Sequence, residues 1–453
     1  MQVVTNVASL LPELIEEAKF FTNAEGLQIT HEHIYGKEGV FEDEITIDGK
    51  KYSFSFSHEY NGELEYKRYL KRYAKLALYR AMSNKLGEKL PWGALTGIRP
   101  VKFAYGEGEG WRKEMGGVFD VTKEKLDLVS GIMNAQKAIY EKNANGVDLF
   151  VGIPFCPSRC LYCSFVSSEI GKSDRVDDYV AALQKEIAAA KPLIKNLRSV
   201  YVGGGTPISL PISRLNAVLD AIGDVKGTEY TVEAGRPDCI NDEVLKTLKD
   251  HGVTRICVNP QTFNDDTLKL LGRRHTSAQI LEAYALAKKY GFIVNMDLIA
   301  GLTGESFADF KKSVDKIIEL SPENATVHTL SLKKGSRLKE EVERLPEGEV
   351  AKMISYSYKT LTDAGYEPYY TYRQKYMAGN LENTGYAKKG KVCTYNVDVM
   401  EEIADNLACG ANAVTKKLFG GGERIERYGA PKDIPTYISK IDKIIEEKSK
   451  LFV

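Results

Sequence analysis

Three cysteines, Cys156, Cys160 and Cys163, lie within eight residues of the segment GIPFCPSRCLYCSF. Structural zinc usually requires four Cys or His ligands in paired motifs, and this stretch of sequence offers no fourth one. Three thiolates can instead bind a 4Fe-4S cluster and leave one iron open to chelate a small amino-carboxylate ligand. Packed core cysteines are the alternative, although a loop with Pro157 and Arg159 is a poor place for a core. The spacing therefore indicates an iron–sulfur cluster that also binds a ligand.

Two later features could complete a ligand site. The glycine-rich turn GGGTP, residues 203–207, follows a predicted strand, but alone it is equally typical of an ordinary β-turn. Glu233 ends the next predicted strand in TVEAGRP, where its carboxylate could accept hydrogen bonds from a ligand or simply be solvated. Whether the two features bind a ligand depends on where they lie in the fold.

These residues fall in a region of alternating strands and helices. From Val147 to about Leu332, six short β-rich runs are separated by amphipathic helical segments, several of which end at a glycine. The predicted strands are VDLFVGI, SVYVGGG, EYTVEAG, TRICVNP, FIVNMDLIAG and ATVHTLSL. The alternation predicts an α/β fold with a parallel sheet. Periodicity leaves open whether the sheet closes, but in either case ligands bind at the carboxyl ends of its strands.

The chain has 453 residues, more than one hydrophobic core usually covers, so two or three domains are expected. Helical spacing in LPELIEEAKFF and alternation around an Asp-Gly turn in FEDEITIDGKKYSFSFS predict an α+β domain over residues 1–115. A linker and helix should follow at 116–146, and the α/β region should occupy 147–346. Residues 347–453 begin with a predicted helix and continue with aromatic, glycine-rich segments, which indicates a small accessory domain or lid.

Composition restricts the function classes. Lysine plus arginine and aspartate plus glutamate both number 62, so the formal net charge is zero and nucleic acid is not an expected partner. The N-terminal residues lack the basic region of a signal peptide, and the apolar runs are far shorter than the ~20 residues of a membrane span. Seven cysteines, three of them clustered, suit a reducing compartment. We therefore expect a cytoplasmic protein without a membrane span.

The cysteine spacing, with Tyr162 before the third cysteine, resembles the signature of the radical S-adenosylmethionine (SAM) superfamily. This resemblance implies a partial (β/α)6 barrel with a 4Fe-4S cluster on Cys156, Cys160 and Cys163. In that superfamily the reduced cluster donates an electron to SAM, and the 5′-deoxyadenosyl radical that forms removes a hydrogen atom from the substrate. The resemblance also implies a set of cofactor-binding positions. They are Phe150, Tyr162, Gly204, Gly205, Thr206, Glu233, Gln261, Arg273, Asp297, His328 and Val414.

Within the superfamily, the chain resembles most the oxygen-independent coproporphyrinogen III oxidase (dehydrogenase) family, in the branch whose extra N-terminal domain ends in LTGIRP. The resemblance runs from about Leu149 through QKYMAGNLENTGYA and LACGANAVTKK. It implies oxidative decarboxylation of two propionates of coproporphyrinogen III to vinyl groups in haem biosynthesis. One or two SAM molecules, and an electron donor such as a flavodoxin or ferredoxin, are the implied cofactors and partners.

The same resemblance implies individual roles. Gln261 and Arg273 hold the cofactor, the arginine by pairing with its carboxylate group, and Asp297 contacts the ribose. His328 matches an adenine-contacting position, although a single histidine is more often an ordinary hydrogen-bonded interior residue. Val414 matches an apolar residue that covers the adenine, and core packing alone would also explain a valine there.

The chain departs from the family pattern beside its cysteines. The better-known oxidases have a fourth cysteine where this chain has Phe165, a histidine where it has Gly152, and a tyrosine where it has Phe150. The run CLYCSF is shared with haem chaperones that cleave SAM without making protoporphyrinogen. A haem chaperone or trafficking protein is therefore an alternative, as is a radical SAM enzyme, such as a methyltransferase, that acts on another tetrapyrrole.

A tetra-anionic porphyrinogen would need several cations around an aromatic pocket, and a chain of zero net charge must concentrate them locally. The candidate pairs are Arg99 with Lys102, Arg373 with Lys375, and Arg424 with Arg427. Solvated surface pairs are the default interpretation of such residues.

Overall fold

The computed structural model describes residues 1–21, 23–95, 99–140, 146–163, 167–331, 347–374 and 377–452. Its backbone forms two units. The first comprises Met1–Ser130, Arg373–Lys375 and Gly379–Leu381, and the second comprises Gly131–Tyr372, Tyr376–Ala378 and Glu382–Val453. The structure divides the chain at Ser130 and places most of the last segment in the second unit. The domain boundaries that the sequence predicts at residues 115 and 347 stay predictions.

The first unit contains a four-stranded sheet with the alternating burial that the sequence predicts. Its strands, in spatial order, are β1 (Gln2–Thr5), β2 (Gln28–Ile34), β3 (Val40–Ile47) and β4 (Lys50–Ser57). Asp48 and Gly49 have φ values of 48° and 82°, which form the predicted Asp-Gly turn between β3 and β4. The first helices are α1 (Leu11–Ala18), α2 (Gly62–Leu86), α3 (Pro100–Glu107), α4 (Trp111–Lys113) and α5 (Lys123–Gln136), the last of which continues into the second unit.

The second unit is built on an 11-stranded sheet. Its strands and a short β6-β7 pair are, in chain order, β5 (Gly146–Ile153), β6 (Phe155–Cys156), β7 (Ser168–Glu169), β8 (Asn196–Gly204), β9 (Glu229–Val232), β10 (Arg255–Cys257), β11 (Ile293–Ala300), β12 (Asn324–Thr329), β13 (Glu367–Tyr372), β14 (Asn383–Ala387), β15 (Asp405–Cys409), β16 (Val414–Phe419) and β17 (Arg424–Gly429). The spatial order is β13-β14-β12-β11-β10-β9-β8-β5-β15-β16-β17. The six predicted strands, β5 and β8 to β12, pair in parallel with their neighbours, which confirms the predicted α/β fold and partial barrel.

Helices α6 to α11 lie between the parallel strands, and four more in the described part of the chain follow β12. They are α6 (Val176–Ala190), α7 (Ile212–Ile222), α8 (Asp242–Asp250), α9 (Asp265–Leu270), α10 (Ser277–Lys289), α11 (Phe307–Leu320), α12 (Glu347–Asp363), α13 (Thr394–Glu401), α14 (Ile434–Ser439) and α15 (Ile441–Phe452). Capping boxes at Thr276 and Ser306 start α10 and α11 by satisfying their first amides. On β8, Val200 and Val202 are fully buried while Tyr201 between them points to the opposite face, so the barrel strands present alternate residues to the interior.

Within the part of the chain that the structure describes, no helix combines the length and the apolar character that a membrane crossing requires.

The segment after Glu367 extends the barrel sheet at both edges. The antiparallel pair of β13 and β14 follows β12, and β15 runs parallel to β5 with Asp405 opposite Val147 and Cys409 opposite Val151. The strands β16 and β17 continue beyond β15. The strand that leads into the cysteine loop therefore lies between β8 and β15, with a partner on each side.

A buried ion pair joins the final helix, α15, to α6. Lys448 contacts Glu186, and the two side chains are only 3% and 1% exposed. The same carboxylate accepts hydrogen bonds from the Gly410 amide over 2.8 Å and from the Tyr437 hydroxyl over 2.5 Å. These donors compensate a charge that would otherwise be costly to bury.

Lys448→Met should lower the free energy of unfolding by about 3–5 kcal/mol, because it leaves the buried Glu186 charge without its cation. Lys185→Met is the matched control, since Lys185 pairs with Asp442 over 2.5 Å at the surface of the same helix α6. It should lower the free energy of unfolding by about 1 kcal/mol or less. Urea unfolding followed by circular dichroism measures both. Equal unfolding midpoints for the two variants would contradict the assignment of the buried pair.

Candidate functional site

The cysteine loop begins at the carboxyl end of the barrel strand β5. The short strand β6 ends at Cys156, and the loop continues through the other two cysteines. The Cys163 amide donates to the Cys160 carbonyl over 3.1 Å, which turns the chain, and the Leu161 amide donates to the Leu271 carbonyl over 3.2 Å. The three cysteines are free of disulfides. The loop that carries them lies at the end of the barrel where ligands bind in this fold class.

The glycine-rich turn after β8 lies directly against this loop. The Gly205 amide donates to the Ile153 carbonyl and the Thr206 amide donates to the Phe155 carbonyl, both over 2.7 Å. A Cβ atom on Gly205 would lie 2.4 Å from the Phe155 oxygen and 3.0 Å from the Cys156 sulfur. Glycine is therefore required here by close backbone approach, which an ordinary β-turn would not demand.

The donor set of the loop fits a cluster held by three thiolates. Among the described residues, no group of three His, Cys, Asp or Glu side chains is placed to hold a single metal ion. A 4Fe-4S cluster held by three cysteines binds each thiolate to a different iron. The Thr206 hydroxyl lies 3.6 Å from the Cys156 sulfur, and the Arg236 guanidinium lies 3.9 Å from the Cys160 sulfur. Both groups can donate to cluster thiolates.

Glu233 lies beside the glycine-rich turn and is half-buried. Its carboxylate accepts hydrogen bonds from the Tyr201 hydroxyl over 2.7 Å and from the Gly204 amide over 3.2 Å. Burial raises the pKa of Glu233 to about 7 despite these hydrogen bonds, and the charge of Asp297 adds to the rise. A carboxyl group that titrates near neutrality can either accept or donate a hydrogen bond to a ligand.

Arg273 joins three loops at the strand ends. Its Nη1 donates to the Tyr162 hydroxyl over 2.8 Å, and its Nη2 donates to the carbonyls of Gly235 and Asn259 over 2.9 and 2.7 Å. The side chain is buried. The sequence predicts that this guanidinium pairs with a ligand carboxylate. The guanidinium also stabilises the cysteine loop through its hydrogen bond to Tyr162.

Gln261 combines an unusual backbone conformation with an unpaired amide oxygen. Its φ is 67°, and its main chain pairs with β11 by donating to the Asp297 carbonyl over 2.8 Å and accepting from the Ile299 amide over 2.9 Å. Its buried Oε1 atom has no hydrogen-bond partner among the described residues. Leaving such an acceptor unpaired costs about 1–3 kcal/mol. A ligand that donates to Oε1 would remove this cost, which fits the predicted contact.

Asp297 and His328 face each other on neighbouring strands. Asp297 lies on β11 and His328 on β12, with the carboxylate Oδ2 and the imidazole Nε2 separated by 3.6 Å. Asn295 donates to the other carboxylate oxygen over 2.7 Å. Both residues act electrostatically on the pKa of Glu233, so the structure brings these three predicted site residues together.

Phe150 and Val414 occupy different surroundings. Phe150 lies beside the rings of Tyr201 and Tyr395, with centroid distances of 6.3 Å to each. This aromatic group adjoins Glu233, because the Tyr201 hydroxyl donates to that carboxylate. Val414 begins β16, two strands away from β5 in the sheet, and its relative exposure is 43%. The contact of Val414 with a ligand stays a prediction.

Gly152, one of the departures from the family pattern, has a local packing reason. A Cβ atom at this position would lie 3.3 Å from the Cys409 carbonyl oxygen and 3.3 Å from the Phe150 ring. The Gly152 carbonyl also accepts a hydrogen bond from the Tyr179 hydroxyl over 2.6 Å. The close approach of β15 therefore favours glycine here. Phe165, the other departure, lies outside the described residues.

Sequence reasoning missed a largely buried polar network beside the cysteines. Arg236 donates to the Asp238 carboxylate through two hydrogen bonds of 2.9 and 2.8 Å, and that carboxylate lies 3.4 Å from His275. A further thiol, Cys239, follows in the same turn and interacts electrostatically with Cys156. The run GRPDC after the third barrel strand was the only sign of this network, and it gives no indication that His275 joins it.

Comparison with known proteins identifies the family. The model of the radical SAM superfamily matches residues 150–317. The oxygen-independent coproporphyrinogen-III oxidase-like protein HemZ from Bacillus subtilis is 35% identical over 382 residues, which cover 79% of this chain and 76% of that protein. The chain belongs to this radical SAM family. Membership implies a 4Fe-4S cluster and SAM as cofactors, in agreement with the three-cysteine loop.

Two other known proteins are similar to parts of the chain. The heme chaperone HemW from Lactococcus lactis is 35% identical over 227 residues, which cover 48% of this chain and 59% of that protein. The structure of the coproporphyrinogen III oxidase HemN from Escherichia coli matches with a TM-score of 0.55 and 21% identity over 68% of this chain and 72% of that chain. The structural likeness shows the shared radical SAM fold.

Gly205→Ala should prevent the glycine-rich turn from closing on the cysteine loop, because the added methyl group would overlap the Phe155 carbonyl. After anaerobic reconstitution, this radical SAM protein should then hold severalfold less iron per chain than the unaltered protein. Gly171→Ala is the control, since a Cβ atom there meets no atom within 4 Å. Iron and sulfide assays measure the difference. Equal iron contents in the two variants would show that the close approach does not support the cluster.

The raised pKa of Glu233 should make stability depend on pH. The carboxyl group has its usual pKa of 4.5 in the unfolded chain and a pKa of about 7 in the folded protein. Its contribution to stability is therefore fully present below pH 4.5 and is lost as the pH rises through about 7, because the unfolded chain releases the proton first. Glu233→Gln does not titrate, so its Tm should rise relative to that of the unaltered protein across this interval.

Thermal unfolding at several pH values tests the Glu233 prediction. Glu426→Gln, on the edge strand β17, is the control and should leave the pH dependence unchanged. A constant Tm difference between the unaltered protein and Glu233→Gln at every pH would contradict the raised pKa.

Proposed function

We propose that the chain is a radical SAM oxidoreductase that converts propionate groups of coproporphyrinogen III to vinyl groups, without oxygen, in cytoplasmic haem biosynthesis. The observation that carries the proposal is the 35% identity to the coproporphyrinogen-III oxidase-like protein over 79% of the chain, well beyond the superfamily match at residues 150–317. Each conversion removes one carbon dioxide, one hydrogen atom and one electron from a propionate. The electron must leave to an external acceptor.

The proposed cofactor site assigns roles to residues at the strand ends. The thiolates of Cys156, Cys160 and Cys163 bind the cluster, which supplies the electron that cleaves SAM. The backbone of the turn Gly204–Thr206 and the buried Oε1 of Gln261 bind and orient one or two SAM molecules through hydrogen bonds. An electron donor of the flavodoxin or ferredoxin class would supply the electron to a cluster held by these thiolates. Glu233 and Asp297 complete the polar lining of the same site.

Aromatic rings near this site support a tetrapyrrole as the substrate class. Tyr201 and Tyr395 stack with a centroid distance of 4.4 Å beside Glu233, and Tyr370 and Tyr372 stack on β13 with a distance of 6.3 Å. Asp297 acts electrostatically on both tyrosines of the second pair. Large pyrrole rings gain contact area and edge or face interactions against such side chains.

The structure places the cations that the sequence suggests for binding the propionates in several different surroundings. Arg373 is buried in the first unit, where its guanidinium lies 5.3 Å from the Trp92 ring centroid. Arg424 and Arg427 are exposed and pair with neighbouring carboxylates. Lys375 lies outside the described residues. The surface interpretation therefore holds for Arg424 and Arg427, and Arg373 has a packing role.

A haem chaperone is the second candidate function. The 35% identity to the heme chaperone HemW from Lactococcus lactis supports it, as does the run CLYCSF. A chaperone would bind haem in a fixed ratio and transfer it to a recipient protein. A radical SAM enzyme that modifies another tetrapyrrole, for instance by methyl transfer, is the third candidate.

Anaerobic incubation of the dithionite-reduced protein with SAM, coproporphyrinogen III and an external one-electron acceptor separates these functions. An oxidase yields protoporphyrinogen, carbon dioxide and 5′-deoxyadenosine. Cleavage of SAM with the porphyrinogen unchanged would overturn the oxidase proposal, and stoichiometric haem binding with transfer to a recipient protein would then establish the chaperone. Transfer of a labelled methyl group from SAM to a tetrapyrrole would establish the third function.

Cys160→Ala should reduce SAM cleavage to the background rate, because the cluster loses one of its three thiolate ligands. Cys409→Ala is the control, since Cys409 is a buried thiol on β15 outside the cysteine loop and should leave cleavage near the level of the unaltered protein. Chromatography of 5′-deoxyadenosine after reduction with dithionite measures both. Full cleavage by Cys160→Ala would contradict the proposed cluster site.

A further inference from the structure

The buried residue Arg236 lies beside the cysteine loop but matches none of the predicted cofactor contacts. It follows β9 and is only 4% exposed. Its Nη1 atom lies 3.9 Å from the Cys160 sulfur and 3.1 Å from the Ser158 hydroxyl. An arginine is seldom buried so fully, because its charge must be compensated by partners. The partners of Arg236 therefore indicate what the charge does.

Asp238 and His275 hold the guanidinium in one orientation. The Nε and Nη2 edge of Arg236 binds the Asp238 carboxylate at two points, which leaves Nη1 facing the loop. The Nε2 atom of His275 accepts a hydrogen bond from Arg273 over 3.4 Å, and its Nδ1 lies 3.4 Å from the Asp238 carboxylate. Close polar contacts thus run from Arg273, which binds the loop at Tyr162, to Arg236, which meets it at Cys160.

The Arg236–Asp238 pair is an oriented dipole. Its cation stands between the carboxylate and the Cys160 sulfur, because the carboxylate binds the edge of the guanidinium away from Nη1. Reduction adds one negative charge to an iron–sulfur cluster, and that charge is stabilised by nearby cations and by N–H donors to the sulfurs. In a buried setting the effect is larger than it would be in water.

We propose that Arg236 is a positioning residue that raises the reduction potential of the cluster through its contact with the Cys160 thiolate. The inference rests on the proposed cluster site at the three cysteines and is independent of which tetrapyrrole is the substrate. One electron enters the cluster from an external reductant, dithionite in the experiment below, and no bond forms or breaks in this step. Arg236 thereby brings the cluster within reach of the donor that starts SAM cleavage.

A purely structural role would predict different behaviour. If Arg236 only tethered the loop through Ser158, its replacement would reduce the amount of cluster bound, but the remaining clusters would keep their potential. A residue that acts on the electron affinity of the cluster changes the potential itself. It should also respond to a change in Asp238, because loss of that carboxylate leaves the cation uncompensated beside the sulfur.

Potentiometric titration of the reconstituted full-length protein, followed by the electron paramagnetic resonance signal of the reduced cluster, tests the proposal. In Arg236→Met the ratio of reduced to oxidised cluster at the unaltered midpoint should fall about tenfold, a shift of 59 mV to more negative values for one electron. Arg236→Lys keeps the charge and should recover most of this shift. Asp238→Asn should move the midpoint in the opposite direction.

Arg214→Met is the matched control, since Arg214 also forms a bidentate pair, with Asp177, but at the surface between α7 and α6. Its midpoint should equal that of the unaltered protein. If Arg236→Met holds too little cluster to titrate, the opposite shift in Asp238→Asn and the near-normal midpoint in Arg236→Lys decide the question. An unchanged midpoint in Arg236→Met, or shifts of the same sign in Arg236→Met and Asp238→Asn, would overturn the proposal.

The reduction potential of the cluster is measured without a tetrapyrrole, so this test is independent of the substrate. If the predicted shifts in potential are found but the protein does not decarboxylate coproporphyrinogen III, only the oxidase function is overturned. Absence of any reconstituted cluster in the unaltered protein would overturn the role of Arg236 together with the cluster site.

Discussion

The candidate site depends on the close approach of the glycine-rich turn to the strand that enters the cysteine loop. Two backbone hydrogen bonds of 2.7 Å join Gly205 and Thr206 to this strand, and the space beside Gly205 has no room for a side chain. Because both partners are main-chain groups, the position of Cys156 is set by the pairing of β5 with β8 rather than by a choice of rotamer. The Gly204 amide then fixes Glu233 by the same geometry.

Side chains stabilise the rest of the loop. Arg273 binds it at Tyr162, and Arg236 meets it at Ser158 and Cys160, so two guanidinium groups hold a segment that has little regular secondary structure of its own. Arginine suits this task because its planar fork makes several directed hydrogen bonds at once. His275 lies between the two arginines, 3.4 Å from Arg273 and 3.4 Å from the Asp238 carboxylate that binds Arg236.

The sequence predicts the six parallel strands and the cysteine loop because each is a local pattern, whether alternation of elements or spacing of thiols. The same alternation places Glu233, Asp297 and His328 on strands of one parallel sheet, where 3.6 Å separates Asp297 from His328. The pairing of β15 with β5 and the network around Arg236 follow from contacts between distant segments, which no local pattern records. Arg424 and Arg427 show the converse, because these cations are clustered in sequence but are exposed and pair with carboxylates of Glu426 and Glu402.

The position of β5 between β8 and β15 has a consequence for the order in which the site can be completed during synthesis. Until β15 has been made, β5 is an edge strand with a row of unpaired backbone groups, and pairings between such distant segments form late in folding. The three thiols therefore stand next to an open sheet edge while most of the chain is being translated. A chain arrested before Asp405 would combine three clustered thiols with an aggregation-prone edge, so truncation near the end is more harmful than the small number of missing residues suggests.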